Sequence, residues 1–265
     1  MRFYIFFLLL LWVSGGVRAS GHDKGRHRKH VRKTMVVHPD VMVIPMNPER
    51  ALKPSPMFVE VVLPSISRWR EGIDVSHYQG WIDWDQVADS RQISYVYLKA
   101  TEGATMTDNT YRRNLQEIRR VGLRVGSYHF YRSNVPWREQ FENLKRHVKK
   151  EEQDLVPIVD IEHRGRVSIE KFIRDLSAFL RQVERHYGKK PLLYTYQNFY
   201  NRYLSHRFEG YHWMIAKYQD EAPQLVDGCQ YTMWQYTQSG SLPGIEGDVD
   251  RSRLVGDFEL HHVGM

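Results

Sequence analysis

From position 72 onward, short apolar runs alternate with longer amphipathic stretches. The short runs are rich in β-branched and aromatic residues, which is typical of buried strands. They predict seven strands, at Gly72–Val75, Tyr95–Leu98, Arg124–Tyr128, Val156–Ile161, Leu192–Thr195, His212–Ala216 and Met233–Tyr236. Helical patterns separate most of these runs, and alternation of strands with helices predicts a parallel sheet.

The clearest helical pattern covers Ser168–Tyr187, where apolar residues recur every three or four positions and Gly188 follows as a C-terminal cap. Two more helices are predicted at Asn109–Val121 and Trp137–Lys150. About seven or eight strand–helix units in one α/β domain fit most economically into an irregular, TIM-like (β/α) barrel. An open doubly wound sheet is the alternative. The absence of a glycine-rich phosphate loop after the first strand disfavours it.

The first 70 residues differ in character from the rest of the chain. Residues 1–19 have the charged start, the apolar run Phe3–Val13 and the small residues of a secretory signal peptide. Eleven apolar residues span only about half of a ~30 Å hydrocarbon core, so a membrane anchor is disfavoured. Residues 20–34 form a basic tail expected to be disordered, and residues 35–70, with six prolines, a linker. The compact domain is predicted at 71–262.

The charge of the chain is concentrated in this N-terminal region. Of 38 basic and 31 acidic residues, eight basic and one acidic lie within residues 1–34, which leaves 30 of each for residues 35–265. The net charge of +7 therefore belongs to the tail, and no nucleic-acid partner is predicted. Anionic wall or envelope polymers are the partners that such a tail would attract, and a plain solvated tail is the alternative.

The cysteine content and the signal peptide indicate where the protein works. Cys229 is the single cysteine, so no intrachain disulfide can form. Its neighbours carry no positive charge that would activate the thiol, and a packed, inert cysteine is predicted. We expect an exported monomer, either periplasmic or extracellular.

Acidic residues lie in or just after the last part of predicted strands, at the positions where a barrel collects its active-site groups. Asp74 ends the first strand, Asp160 and Glu162 end the fourth, and Asp250 lies near the end of the chain. In an extended strand, residues two apart share a face, so Asp160 and Glu162 should project together. Two carboxylates this close repel each other, which raises the pKa of one and lets it act as an acid.

Solvated strand-end acids are the structural alternative, but the apolar run before the pair makes unpartnered charges costly there. A metal site is disfavoured, because no histidine spacing typical of ligands accompanies the acids and His163 stands alone. No metal or cofactor is predicted. Aromatic residues, which can stack on the apolar faces of sugar rings, are frequent at the same strand ends.

Seven motifs occur in the order found in lysozymes of glycoside hydrolase family 25, and the chain resembles that family over residues 71 to 255. The motifs are Gly72–Gly80 (GIDVSHYQG), Lys99–Gly103 (KATEG), Gly126–Phe130 (GSYHF), Val159–Glu162 (VDIE), Trp213–Tyr218 (WMIAKY), Trp234–Tyr236 (WQY) and Val249–Asp250 (VD). Each motif is weak alone, whereas seven in order are highly specific.

The resemblance implies a β-1,4-N-acetylmuramidase that cleaves peptidoglycan glycan strands between N-acetylmuramic acid and N-acetylglucosamine, with retention. By motif position, Glu162 is the expected general acid, Asp160 its partner, and Asp74 and Asp250 the other acids of the groove, with Asp248 in reserve. The expected substrate-binding residues are Tyr128, Tyr194, Trp213, Lys217, Trp234 and Gln235.

Two mechanisms remain open for Asp160. It is either the nucleophile, or it supports attack by the acetamido oxygen of the substrate, and the resemblance favours the second. A chitinase is disfavoured, because two acidic positions of the pattern Asp-x-x-Asp-x-Asp-x-Glu are Leu155 and Ile158 here. A non-catalytic peptidoglycan-binding module of the same fold is the alternative function. It would be expected to lack one of the four acids.

Overall fold

The computed structural model describes residues 70–265. The predicted signal peptide (1–19), basic tail (20–34) and nearly all of the predicted linker (35–70) lie outside the described residues. Within the described part of the chain, no helix combines the length and the apolar character needed to cross a membrane.

Nine strands of the described chain form one sheet that closes on itself. They are β1 (Glu71–Val75), β2 (Tyr95–Glu102), β3 (Met106–Thr107), β4 (Arg124–Phe130), β5 (Ile158–Asp160), β6 (Leu192–Tyr196), β7 (Trp213–Ala216), β8 (Met233–Gly240) and β9 (Val249–Leu254). Eight of them form the ring β1-β2-β4-β5-β6-β7-β8-β9, in which β9 pairs with β1, while β3 is a short hairpin partner of β2. The predicted barrel is confirmed, and its closure excludes the open sheet.

The last strand of the ring was not predicted. The other seven strands of the ring run parallel around the barrel, whereas β9 is antiparallel to both β8 and β1. Its sequence VDRSRL has three charged residues and no long apolar run, so its pattern does not indicate a strand. Backbone pairing on both sides makes it one, and this pairing places Asp250 opposite Asp74.

Helices cover the outside of the first part of the barrel. They are α1 (Trp84–Asp89), α2 (Tyr111–Arg120), α3 (Trp137–His147), α4 (Ile169–Tyr187) and α5 (Gln197–Phe199), which continues into a π-helical turn at Tyr200–Leu204. Short 3₁₀ turns occur at His77–Gln79, Lys150–Glu152 and Leu260–Val263. No helix intervenes between β7, β8 and β9, so the regular alternation predicted for the whole domain is wrong for its last third.

Helix α4 begins and ends where its sequence predicts. The hydroxyl of Ser168 accepts a hydrogen bond from the backbone N–H of Lys171, which caps the first turn. At the other end Gly188 has a φ of +77°, and its N–H donates to the carbonyl of Glu184. The face between these caps packs into the apolar layer that separates the helices from the barrel.

The barrel interior is filled by a second apolar cluster in which tyrosine rings lie over glycines of neighbouring strands. Tyr95 on β2 is in register with Gly72 on β1, and Tyr97 with Gly126 on β4. A Cβ atom at Gly72 or Gly126 would lie 2.2 or 2.3 Å from the facing ring, so these positions need glycine for close packing. This layer forms the floor below the carboxyl ends of the strands.

Candidate active site

A cavity of about 210 Å³ opens at the carboxyl ends of the barrel strands. Seven of the ten residues predicted from the sequence line it: Asp74, Tyr128, Asp160, Glu162, Tyr194, Gln235 and Asp250. They come from six strands that are far apart in the chain. The closed ring brings them together because its parallel strands all end at the same rim, and the antiparallel strand β9, with Asp250 as its second residue, begins there.

Asp74 and Asp250 form a hydrogen-bonded pair on adjacent strands. Burial raises the pKa of Asp74 to about 6, although hydrogen bonds from Gln235 and Asp250 oppose the shift. Burial, together with the charge of Asp74, raises the pKa of Asp250 to about 9. The pair therefore shares one proton near neutral pH.

Asp160 and Glu162 occupy the opposite part of the cavity. Asp160 is the last residue of β5 and is 7% exposed, whereas Glu162 lies just beyond the strand. Burial and the nearby charge of Glu162 raise the pKa of Asp160 well above its ordinary value. Among the described residues, Asp160 Oδ1 is buried and has no hydrogen-bond partner.

Glu162 combines burial with access to the cavity, since its side chain is 17% exposed. Burial raises its pKa to about 7, and the positive charges of Lys99 and Arg132 limit the rise. A carboxyl group with this pKa is protonated in a large fraction of molecules near neutral pH. It can therefore donate a proton and later take one back.

Gln235 connects the two sides of the cavity through hydrogen bonds. Its Nε2 donates to Asp74 Oδ2 at 2.8 Å, and its Oε1 accepts from the hydroxyls of Tyr194 at 2.8 Å and Tyr218 at 2.7 Å. With both tyrosines donating, the orientation of the Gln235 amide is determined, and the amide must present its N–H group to Asp74.

Lys99 supplies positive charge at the edge of the cavity. Its Nζ lies 2.7 Å from Glu102 Oε2, and Arg132 Nε donates to the other oxygen of Glu102 at 2.9 Å. Both cations also lie near the ring of Phe130, at 5.4 and 4.5 Å from its centroid. Glu102 therefore holds two cations beside the acidic pair Asp160 and Glu162.

The family is decided by comparison with known proteins. The sequence model described as "Glycosyl hydrolases family 25" matches residues 73–245. The chain belongs to glycoside hydrolase family 25.

Individual relatives of this family 25 enzyme agree with that assignment. The Escherichia coli K12 "Uncharacterized protein YegX" is 34% identical over 192 residues, covering 71% of this chain and 70% of the relative. The "Autolytic lysozyme" of Clostridium acetobutylicum is 33% identical over 183 residues, covering 68% of this chain and 54% of the relative.

Solved structures are similar over the same part of the chain. A family 25 glycosyl hydrolase from Bacillus anthracis is 31% identical, with a TM-score of 0.65, and the match covers 71% of this chain and 89% of that one. A lysozyme from Streptomyces coelicolor is 25% identical, with a TM-score of 0.64 and coverages of 73% and 94%. The expected family, barrel fold and enzyme class, a lysozyme-type glycoside hydrolase, are thereby confirmed.

Three residues expected to bind substrate do not line the cavity of this family 25 enzyme. The prediction for Trp213 is wrong, because this side chain is 1% exposed and packs between barrel and helices, 4.9 Å from the ring of Tyr200. Side chains alternate along a strand, so it is the next residue of β7, Met214, that faces the cavity.

Lys217 and Trp234 shape the surroundings of the cavity instead. Lys217 Nζ donates to the carbonyl of Ala222, and its own carbonyl accepts a hydrogen bond from the Trp234 indole at 2.9 Å. Trp234 is 4% exposed and lies beside the cavity. The reserve acid Asp248 is exposed and also lies outside the cavity, which supports the choice of Asp250.

Several cavity residues were missing from the predicted set. They are Val75, Ser76, Tyr78, Gln79, Lys99, Phe130, Ile158, Tyr196, Met214, Tyr218 and Gln238. Most belong to or adjoin the seven sequence motifs, and their position at the ends of predicted strands could have identified them as cavity residues. Within residues 70–265, no group of three or more His, Cys, Asp or Glu side chains is arranged to hold a metal ion.

Proposed function

We propose that this family 25 enzyme hydrolyses the β-1,4 bond between N-acetylmuramic acid and N-acetylglucosamine in peptidoglycan, with retention and with assistance from the substrate. The observation that carries the proposal is the position of Glu162 in a cavity with three other acids, where burial raises the pKa of its carboxyl group to about 7. Relatives described as lysozymes support the choice of substrate.

Glu162 acts as the general acid in the first step. Its carboxyl proton moves to the glycosidic oxygen while the bond between that oxygen and C1 breaks, so that the leaving sugar departs as a neutral alcohol. Burial keeps the proton on Glu162 until the substrate arrives, and Lys99 and Arg132 stabilise the carboxylate that is left.

Asp160 supports the 2-acetamido group of the substrate. The acetamido oxygen forms a bond to C1 as the glycosidic bond breaks, which gives an oxazolinium ion whose positive charge a nearby carboxylate stabilises. The buried Asp160 Oδ1, which has no hydrogen-bond partner among the described residues, offers an acceptor for the acetamido N–H.

Water completes the reaction from the side that the leaving sugar has vacated. The Glu162 carboxylate takes one proton from the water while the water oxygen bonds to C1, and the bond from C1 to the acetamido oxygen breaks. Glu162 is thereby protonated again, and two inversions at C1 give net retention. Asp74 and Asp250, positioned by Gln235, supply negative charge near the positively charged transition state.

Product analysis tests the proposed bond specificity. Purified peptidoglycan is digested, and the soluble fragments are examined by mass spectrometry after borohydride reduction. A muramidase leaves reducing N-acetylmuramic acid. Reducing N-acetylglucosamine would instead identify a glucosaminidase, and no soluble fragments would favour the alternative of a non-catalytic wall-binding module.

We also propose export, since peptidoglycan lies outside the cytoplasmic membrane and residues 1–19 have the pattern of a signal peptide. The proposed enzyme is a monomer without metal or cofactor. The basic residues 20–34 are proposed to contact anionic wall or envelope polymers.

A further inference from the structure

A second cavity, of about 460 Å³, lies directly beside the cavity that contains the four acids. Its lining, which we name the basic pocket, consists of Arg132, Ser133, Asn134, His163, Gly165 and Arg166. The two cavities adjoin through the chain itself, because Phe130 and Glu162 line the first while Arg132 and His163 line the second. His163 Nε2 lies 3.8 Å from Glu162 Oε2, so a side chain of the basic pocket is next to the proposed general acid.

The lining of the basic pocket carries positive charge and no acidic residue. Among residues 70–265, Arg166 is exposed and its guanidinium makes no ion pair or hydrogen bond. Arg132 has a carboxylate partner in Glu102, but its side chain is still 40% exposed. An arginine without a partner beside a second arginine is suited to bind a carboxylate through paired N–H groups.

Buried polar contacts hold the wall of the pocket in place. Gln140, which is fully buried, accepts a hydrogen bond from the Arg132 backbone N–H at 2.8 Å and donates to the Arg132 carbonyl at 2.8 Å. Ser133 Oγ, in a residue 5% exposed, donates to the carbonyl of His163 at 2.9 Å and so joins the two loops. The pocket is therefore formed before a ligand arrives, which lowers the entropic cost of binding.

We propose that the basic pocket binds a carboxylate of the peptide stem attached to the substrate glycan, so that the enzyme prefers peptide-bearing strands to bare ones. This inference rests on the proposed function, because the stem is joined to the lactyl group of N-acetylmuramic acid, one of the two sugars at the scissile bond. A glycan bound next to Glu162 places that stem near the rim of the cavity. The basic pocket adjoins this rim, and its lining contains no acidic residue.

The test compares soluble, uncrosslinked peptidoglycan chains with the same chains whose stem carboxylates have been converted to amides by carbodiimide and ammonia. For the unaltered enzyme we expect kcat/KM to fall about tenfold on amidation, which corresponds to ~1.4 kcal/mol. Arg166→Gln should lose about the same factor on the acidic chains and should not distinguish the two substrates. Arg174→Gln, at a 69% exposed position on α4, is the matched control and should behave as the unaltered enzyme.

Three results would overturn the proposal. The first is an equal kcat/KM of the unaltered enzyme on acidic and amidated chains. The second is an equal loss of kcat/KM by Arg166→Gln on both kinds of chain. The third is the same loss of kcat/KM by Arg166→Gln on chains from which an amidase has removed the peptide. Stripped chains keep the lactyl carboxylate but lack the peptide, so the last result would assign the pocket to the sugar itself. Failure of the proposed function is distinct, since it would leave no reducing N-acetylmuramic acid from any of the substrates.

Discussion

The four acids of the cavity differ in pKa because each one has different neighbours. Glu162 is near two cations, Asp160 is almost fully buried beside Glu162, and Asp74 and Asp250 share a proton. Carboxyl groups of the same intrinsic acidity are thereby separated into a proton donor, a buried acceptor and a shared pair. Three predictions concern these single residues.

Glu162→Gln should lower kcat by at least ~10²-fold, the lower limit for loss of a general acid, because the amide keeps the shape but has no acidic proton. For the unaltered enzyme, kcat/KM should fall as the pH rises through about 7, where Glu162 loses its proton. Steady-state kinetics from pH 4 to 9 measure both effects. Near-normal turnover in the variant would remove Glu162 from the proposed role.

Asp160→Asn should separate the two mechanisms. If the acetamido group attacks C1, the variant keeps part of its activity, and a thiazoline analogue of the sugar should inhibit the unaltered enzyme strongly. If Asp160 is the nucleophile, no glycosyl ester can form in the variant. Trapping of a covalent sugar on Asp160 with a fluorinated substrate, together with no inhibition by the thiazoline, would contradict substrate assistance.

Asp250→Asn should stabilise the fold at high pH. The pKa of Asp250 in the folded protein, about 9, is above its value in the unfolded chain. Unfolding therefore releases a proton between about pH 4 and 9, and the free energy of unfolding of the native protein falls as pH rises. The gain from the variant should vanish toward pH 4 and should grow by up to ~1.4 kcal/mol per pH unit from there to about pH 9.

Thermal denaturation at several pH values measures this difference. Asp257→Asn, at an exposed position that does not line the cavity, is the matched control and should leave the melting temperature unchanged at every pH. A constant difference between Asp250→Asn and the native protein across the pH range would show that Asp250 carries no extra proton in the folded state.

At the scale of the elements, the floor of the barrel depends on close packing between strand β2 and its two neighbours, β1 and β4. Tyr95 and Tyr97 of β2 fill the interior only because the strands on either side have glycine at the facing positions. The layer has no spare volume, so an added methyl group must displace a buried ring.

Gly126→Ala should therefore destabilise the barrel by ~1–3 kcal/mol through overpacking, because its Cβ would lie 2.3 Å from the Tyr97 ring. Urea denaturation measures the loss. Gly264→Ala is the control, since the nearest atom to its Cβ is 3.4 Å away and the backbone φ is −71°. Equal stability of Gly126→Ala and the native protein would mean that the ring moves without cost.

At the scale of the whole molecule, the excess positive charge lies in the N-terminal tail and not in the barrel domain. Residues 35–265 contain equal numbers of basic and acidic side chains, while residues 20–34 are strongly basic. Long-range attraction to anionic polymers should thus depend on the tail, and chemistry on the barrel.

Removal of residues 20–34 should leave the cleavage of short soluble muropeptide chains unchanged and weaken attachment to whole anionic walls. The difference should be largest at low ionic strength, where charges are least screened. Co-sedimentation with walls at increasing salt measures it. Equal binding of both forms at low salt would show that the tail has no part in attachment.

Local patterns were sufficient to predict the seven parallel strands of the ring, the long helix α4 and the acids at the strand ends, but not the short strand β3. Strand and helix periodicity, cap residues and buried apolar runs act over a few neighbouring residues, so they can be recognised in the chain. The order of seven motifs added the family, which the family model confirms.

Other features depend on contacts between distant residues. β9 is a strand because β1 and β8 pair with it, and Trp213 faces away from the cavity because the register of β7 turns Met214 inward. The basic pocket joins the loops after β4 and β5, whose residues are about thirty positions apart in the chain. Backbone pairing and strand register are decided only when the ring closes, since side-chain pattern alone does not specify which face of a buried strand meets the cavity.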